Sequence, residues 1–273
     1  MKVKEITVKG IITKSNLPDA DYVVNPYVGC QHGCIYCYSE FMKRFTDHHE
    51  DWGDFVDIKI NSPELVKTSG KYKGKKILFS SVTDPYQPLE AKYKLTRQIL
   101  QKLVEEQPSI EILTKSRLVI RDIDVLKQFK DITVGVSIST LNEDYNRELE
   151  PRAASPRLKI DTLKRCKENG LRTYVFVSPI FPYITDIKEI LEKTNPYVDY
   201  FMFENLNLRP SNRRKVYEFL ERRKPELLPR YRELYESKDN IYWDNLKVEI
   251  EKLCKKYGKE ARIYFHHGGF KSG

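Results

Sequence analysis

The sequence predicts an α/β fold: a partial (β/α)6 barrel of parallel strands, extended towards its C-terminal end by helices. Three observations lead there. Short apolar or β-branched runs of strand length recur along the chain, and stretches with apolar residues every three or four positions separate them. Strands that alternate with helices imply right-handed crossovers and hence a parallel sheet. The length, 273 residues, is long for one average domain but within the range of a single barrel of the TIM type, and it buries a substantial core.

Taken in order, Tyr22–Val24 (YVV) reads as the first strand, broken by Asn25-Pro26. Further strands read at Lys76–Ser80, Ile110–Leu113, Thr133–Ile138, Thr173–Val177 and Tyr200–Phe203. Between them, Leu95–Glu105 places Leu95, Ile99, Leu100 and Leu103 on one helical face, and Ile120–Phe129 does the same with Ile120, Ile123, Leu126 and Phe129. Pro156–Asn169 carries Leu158, Leu163 and Cys166 and ends at Gly170, a C-cap. The tail differs. Asn212–Lys224 and Ile241–Tyr257 read as helices, the second ended by Gly258, and a last short strand at Ala261–Phe265 leads into His266 and His267. We expect residues 1–207 to form the barrel core and 208–273 a helical extension packed on it, within one compact domain.

The formal charge is +9, which speaks to association with a polyanion rather than to fold. Arg213, Arg214, Lys215, Arg222, Arg223, Lys224, Arg230 and Arg232 make the tail basic; they read either as a solvated helical face or as a phosphate-contacting surface. The N-terminus lacks the apolar run of a signal peptide, and no stretch reaches the roughly 18 apolar residues of a membrane span. The expectation is a soluble cytoplasmic protein with no membrane partner, in which clustered cysteines mean metal or redox chemistry more often than disulfides.

Three of the chain's five cysteines fall within "NPYVGCQHGCIYCYSEF", where Cys30, Cys34 and Cys37 read C-x3-C-x2-C. This loop follows the first strand and precedes a helix starting near Tyr38, the end of a parallel strand where cofactors bind. Four thiolates close a [4Fe–4S] cluster, whereas three leave one iron with a free position. His32 as a fourth ligand would make a zinc site, but it lies between two of the cysteines, where the geometry is strained, and zinc ligands usually come as two separated pairs. Cys166 and Cys254 sit on helices and read as core.

The C-x3-C-x2-C loop followed by this alternation resembles the radical SAM superfamily. More of the chain, from about Tyr22 to Pro179, resembles its spore photoproduct lyase-like branch, also labelled DNA repair photolyases, through "NPYVGCQHGCIYCY", "SSVTDPYQPLE", "ILTKS", "VSISTLNED", "EPRAASPRLK" and "VSPI". The resemblance implies that Cys30, Cys34 and Cys37 hold a [4Fe–4S] cluster and that the open iron is chelated by S-adenosylmethionine. An electron, from a reductant such as flavodoxin or ferredoxin, then gives a 5′-deoxyadenosyl radical that abstracts hydrogen from a substrate. It also implies roles for single residues: Tyr36 near the adenine, Thr83 and Asp84 at the amino end of the methionine moiety, with turn chemistry of Thr-Asp-Pro as the alternative, and Lys115 at its carboxylate, with plain exposure as the alternative. Ser137 and Ser139, which share a strand face, fall at the methionine end and the ribose. Arg152 falls at the carboxylate, with surface pairing to Glu150 as the alternative.

One departure matters. The lyase has a hydrogen-donor cysteine after its second strand, where this chain has Ser81, and Ile77–Glu90 contains no cysteine. A serine O–H bond is too strong to replace a thiol as hydrogen donor, which argues against thymine-dimer repair by the lyase's route. Tyr86 and Gln87 could face substrate or pack structurally. Glu204, Asn205, Asn207 and Arg209 could point towards substrate, with Glu204 an acid, a base or an ion-pair partner. Of the adjacent His266 and His267, at most one enters a site. Nucleic acid or a nucleotide-containing molecule is the expected substrate. A peptide or small metabolite is the alternative, and a non-catalytic zinc or cluster module that binds nucleic acid is the alternative of a different class.

Overall fold

The computed structural model describes residues 1–17, 19–237 and 240–266. Among these residues, eleven strands form two sheets: β1 (Lys2–Ile6), β2 (Ile12–Lys14), β3 (Tyr22–Val24), β4 (Tyr27–Val28), β5 (Phe55–Lys59), β6 (Lys76–Phe79), β7 (Ser109–Thr114), β8 (Ile132–Ser137), β9 (Arg172–Ile180), β10 (Tyr200–Asn205) and β11 (Glu260–Tyr264). The large sheet runs β11-β10-β9-β8-β7-β6-β3-β2. Every pairing in it is parallel except β2 with β3. The sheet is open, so the α/β partial barrel of parallel strands expected from sequence is the architecture found. The last strand adds to it, since β11 pairs in parallel with β10.

Alternation along each strand sorts the two faces. Ile77 and Phe79, Ile110 and Ile112, Val134 and Val136, Val175 and Val177, and Phe201 and Phe203 all point to the side covered by helices. There they meet Ile99, Leu100, Leu103, Leu126, Leu163, Cys166, Ile190 and Leu191. Burying each such side chain stabilises the fold by about 1.5–3 kcal/mol. The opposite face carries Glu111, Lys115, Ser137, Tyr174, Ser178 and Glu204, one position out of phase.

The strongly periodic helices match their expected spans within about two residues: Leu95–Leu103, Pro156–Glu168, Pro210–Arg223 and Ile241–Lys256. The helix expected over Ile120–Phe129 is instead a 3₁₀ turn, Arg117–Asp122, followed by the short helix Ile123–Leu126. Its start is set further upstream by Ser116, whose hydroxyl accepts the Leu118 N–H. No described helix is long and apolar enough to cross a membrane.

The Asp199 carboxylate ties two βα units together, accepting from Lys167 Nζ at 2.6 Å and from the Thr173 N–H at 2.8 Å. Burial alone would raise its pKa, but Lys167 and the Thr173 N–H outweigh burial and hold it below the ordinary value. A carboxyl depressed in the folded state contributes stability above its unfolded value of about 3.9 and loses that contribution as pH falls through the folded value. Asp199→Asn is therefore expected to lower stability at neutral pH, with the gap to wild type closing below about pH 4 in urea titrations.

Candidate active site

The cysteine loop leaves β4 directly. β4 pairs antiparallel with β5, and β5 pairs with β1, so a second small sheet anchors the loop's entry. Gly29 requires the left-handed region, with φ +87°, and a Cβ there would meet the Phe55 carbonyl oxygen at 2.4 Å. Its own carbonyl accepts from Thr83 Oγ1 at 2.6 Å and Gln87 Nε2 at 3.4 Å. The Gln31 N–H donates to Gln87 Oε1 at 2.9 Å, and Gln31 Oε1 accepts the Leu89 N–H at 2.6 Å. Thr83 and Gln87, both just after β6, thus clasp the loop from below. Tyr86 and Gln87 are fully buried.

His32 is turned away from the thiols. Its Nδ1 lies 3.1 Å from the Arg152 carbonyl, and its Nε2 lies 3.1 Å from Asp84 Oδ2, off the line of a good hydrogen bond. Asp84 also accepts from Thr114 Oγ1 and the Lys115 N–H, both at 2.7 Å, and from the Tyr86 N–H at 2.8 Å. Burial would raise the Asp84 pKa; His32 and these donors outweigh it and hold it low. Arg152 does not pair with Glu150. Its guanidinium donates to Asp54 at 3.0 Å and to the Gly53 carbonyl at 2.8 Å, lying where a Cβ on Gly33 would sit.

Glu150 is instead at the centre of a buried network. It accepts from the Tyr36 hydroxyl, from Ser139 Oγ at 3.0 Å and from Lys159, and the Glu150 and Lys159 side chains are both 0% exposed. Lys159 also donates to Asn146 Oδ1 at 3.2 Å. Burial raises the Glu150 pKa, but Lys159 and Lys115 outweigh it and keep the carboxyl low, hence ionised. Lys159 is the residue that sequence reasoning passed over. Its only sequence signal is its place in "EPRAASPRLK".

Lys115 and Ser137 meet as lateral neighbours at the ends of β7 and β8, with Lys115 Nζ donating to Ser137 Oγ at 2.8 Å. The Ser137 hydroxyl in turn donates to the Ser178 carbonyl at 3.0 Å. Burial would lower the Lys115 pKa, but the charges of Glu150, Cys34, Asp84 and Cys37 outweigh it and raise it, so the amine stays an ammonium beside the thiols. The same register row continues through Phe176 and Met202, half-buried apolar side chains on the same face of the sheet that motif reading did not flag. Further along the edge, Glu204 accepts from Ser178 Oγ at 2.7 Å and pairs with His266 Nε2 at 3.2 Å, while Asn205 Oδ1 accepts the His266 N–H at 2.8 Å. Asn207 lends its carbonyl to Asn212, which also donates to the Tyr36 carbonyl, and Arg209 lies near the Tyr38 phenol. His267 lies outside the described residues.

All five cysteines are free thiols. Burial pushes the three loop thiols up, Cys34 to about 12 with help from Glu150, so iron that takes them as thiolates displaces a proton from each. Among the described residues no three His, Cys, Asp or Glu side chains are gathered closely enough for a single metal ion. A cubane spreads its thiolates over separate irons. Three thiols on one anchored loop beside a fixed ammonium fit a [4Fe–4S] cluster.

The sequence profile described as the radical SAM superfamily matches residues 24–194. An uncharacterised protein of Methanocaldococcus jannaschii is 40% identical over 226 residues, covering 83% of this chain and 85% of the relative. A protein named radical SAM Nα-GlyT isomerase, from Pseudomonas phage M6, is 28% identical over 177 residues, 63% of this chain and 36% of the relative. Spore photoproduct lyase complexed with dinucleoside spore photoproduct superposes with a TM-score of 0.72 at 13% identity, over 96% of this chain and 82% of that one. SuiB of Streptococcus suis bound to S-adenosylmethionine gives 0.57 at 15% identity, over 89% of this chain and 49% of that one.

Proposed function

This chain belongs to the radical SAM superfamily, and on that premise we propose that Cys30, Cys34 and Cys37 hold a [4Fe–4S] cluster that serves radical chemistry on a nucleic acid or nucleotide-containing substrate. The observation that carries this reading is the Lys115–Ser137 pair fixed at the strand ends beside three free thiols. Held by Cys30, Cys34 and Cys37, a cluster with S-adenosylmethionine bound would supply radical chemistry able to take a hydrogen atom from substrate.

The chain's own residues bind and orient. Lys115, held by Ser137, offers its ammonium to the cofactor's carboxylate. Phe176 and Met202 give an apolar floor and help exclude water. Tyr36 and Ser139, through Glu150, fix the loop's far wall, Thr83 and Asp84 fix its base, and Arg152 clamps its outer side. A one-electron reductant of the flavodoxin or ferredoxin type supplies the electron. The nucleic-acid reading draws on the dinucleoside named with the lyase, on the net charge of +9 and on the basic helix Pro210–Arg223. Ser81 stands where the lyase donates hydrogen from cysteine, and its Oγ accepts from Asn25 Nδ2 at 3.0 Å as a loop tie. The reaction is therefore not dimer repair by that route.

The test is anaerobic. Protein reconstituted with iron and sulfide is reduced with dithionite, given S-adenosylmethionine with and without oligonucleotides, and assayed for 5′-deoxyadenosine by mass spectrometry. Wild type is expected to form it and Cys34→Ala not to; equal yields from the two would refute the reading. Lys115→Met should weaken S-adenosylmethionine binding about 10- to 150-fold, the worth of one charge-assisted hydrogen bond, in equilibrium dialysis of the reconstituted protein.

A further inference from the structure

Three aromatic side chains stand among the exposed large hydrophobic residues described: Tyr38 at 40%, Phe45 at 65% and Tyr183 at 48%. Tyr38 and Phe45 belong to the segment after the cysteine loop, and Tyr183 to the loop after β9. Tyr38 and Phe45 are the two ends of the Tyr38–Phe45 helix, which follows Cys37 and is pinned where the Tyr38 hydroxyl donates to the Ser81 carbonyl beyond β6. Tyr183 lies on the loop after β9, across the edge from β6.

Each group carries a guanidinium. Arg44 stands 4.6 Å from the Phe45 ring centroid and 5.5 Å from that of Phe41, and Arg230 stands 5.3 Å from that of Tyr183. Single exposed apolar residues are ordinary; here one exposed ring with an arginine follows the cysteine loop and another follows β9.

Tyr183 is also displayed at a cost. Its φ is +63°, a left-handed backbone that costs a non-glycine residue about 1–2 kcal/mol. The loop holds it there. The Tyr231 hydroxyl donates to the Pro182 carbonyl at 2.9 Å, the Ile184 and Thr185 N–H groups donate to the Phe181 carbonyl at 3.1 and 3.0 Å, and the Tyr242 ring centroid lies 5.0 Å away. Two residues earlier, Phe181 meets Tyr36 edge-on at 5.5 Å, and Tyr36 lies between Cys34 and Cys37. The loop that displays Tyr183 therefore also touches the cysteine loop, through Phe181 and Tyr36.

We propose that these two aromatic–arginine clusters, Phe45 with Arg44 and Tyr183 with Arg230, are stacking platforms for bases of a single-stranded nucleic acid, which crosses the mouth of the site with its target nucleotide between them. Every base offers a π-face to such rings and every linkage offers a phosphate to the guanidinium, so the surface suits single strands of any sequence, whereas a duplex hides its base faces. This inference rests on the nucleic-acid reading of the active site and names where that substrate is held.

Full-length reconstituted protein is titrated against fluorescently labelled single strands of DNA and of RNA about 12 nucleotides long, and against duplexes of the same sequence, with anisotropy as the readout. Single strands are expected to bind more tightly than duplexes. Tyr183→Asn removes the ring with a residue that tolerates a left-handed backbone, and Phe45→Ala removes an exposed ring. Each should weaken binding about 5- to 150-fold, one base's stacking, without a change in melting temperature. No binding by wild type, equal affinity for duplex, or both variants binding like wild type would overturn the platforms. 5′-Deoxyadenosine formation, measured on the same wild-type sample, separates the two readings. Cleavage without strand binding removes the platforms alone, and strand binding lost in the variants supports them even if cleavage fails.

Discussion

Lys159→Met is expected to lower folding stability by about 3–5 kcal/mol, the usual result of removing one member of a buried ion pair. The change strips the buried Glu150 carboxylate of its direct partner while leaving it bonded to Tyr36 and Ser139. Lys115, whose charge also lowers the Glu150 pKa, compensates for part of the loss. Glu150→Gln with Lys159→Met removes both charges and should recover most of the stability, because no uncompensated carboxylate remains. Denaturant titration of these two variants and of Glu150→Gln alone gives the coupling. A single Lys159→Met within about 0.5 kcal/mol of wild type, the range of an ordinary surface substitution, would mean that Glu150 is not held as described.

Gly29→Ala should abolish most cluster loading. The residue precedes Cys30, its φ of +87° disfavours any side chain, and the added Cβ would meet a backbone oxygen of β5 at 2.4 Å. That oxygen cannot yield, because β5 is paired on both sides, so the loop must move and with it the hydroxyl and amide that clasp the Gly29 carbonyl. Backbone strain of about 1–2 kcal/mol adds to an overpacking cost of about 1–3 kcal/mol. Gly74→Ala is the control. Its φ is +67° with nothing within 4 Å of a Cβ, so it bears the strain alone, and iron content after reconstitution should fall for Gly29→Ala only.

The parallel strands of the barrel were legible because each is a short apolar run beside a helix with clear 3.6-residue spacing, as in Thr133–Ile138 before Pro156–Asn169. The small sheet was not. β5 reads FVDIK, with buried Asp57 bonded to His48 interrupting the apolar run, and β4 has only two residues. The helix Glu143–Leu149 was hidden by its polar composition, although Asn142 caps it by accepting the Tyr145 N–H. In the site, motif spacing marked the cysteines, and the family resemblance marked Lys115, Ser137 and Arg152. It could not assign partners. Arg152 is two residues from Glu150, yet Lys159, nine positions along and on a helix, is the residue that pairs with it. Burial decides between the two, because a carboxylate taken out of water requires a partner that is taken out with it. His266 likewise meets Glu204 only because β11 pairs with β10 in parallel, a long-range register with no local signal.

The central claim is that three thiolates hold four irons and leave one of them open. The most direct measurement is iron and sulfide analysis of the anaerobically reconstituted chain, followed by electron paramagnetic resonance of the dithionite-reduced sample with and without S-adenosylmethionine. Four irons and four sulfides per chain are expected, with a spectrum that changes when S-adenosylmethionine is added, and loss of both in Cys34→Ala. One zinc and no sulfide, or a four-iron spectrum indifferent to S-adenosylmethionine, would contradict the claim.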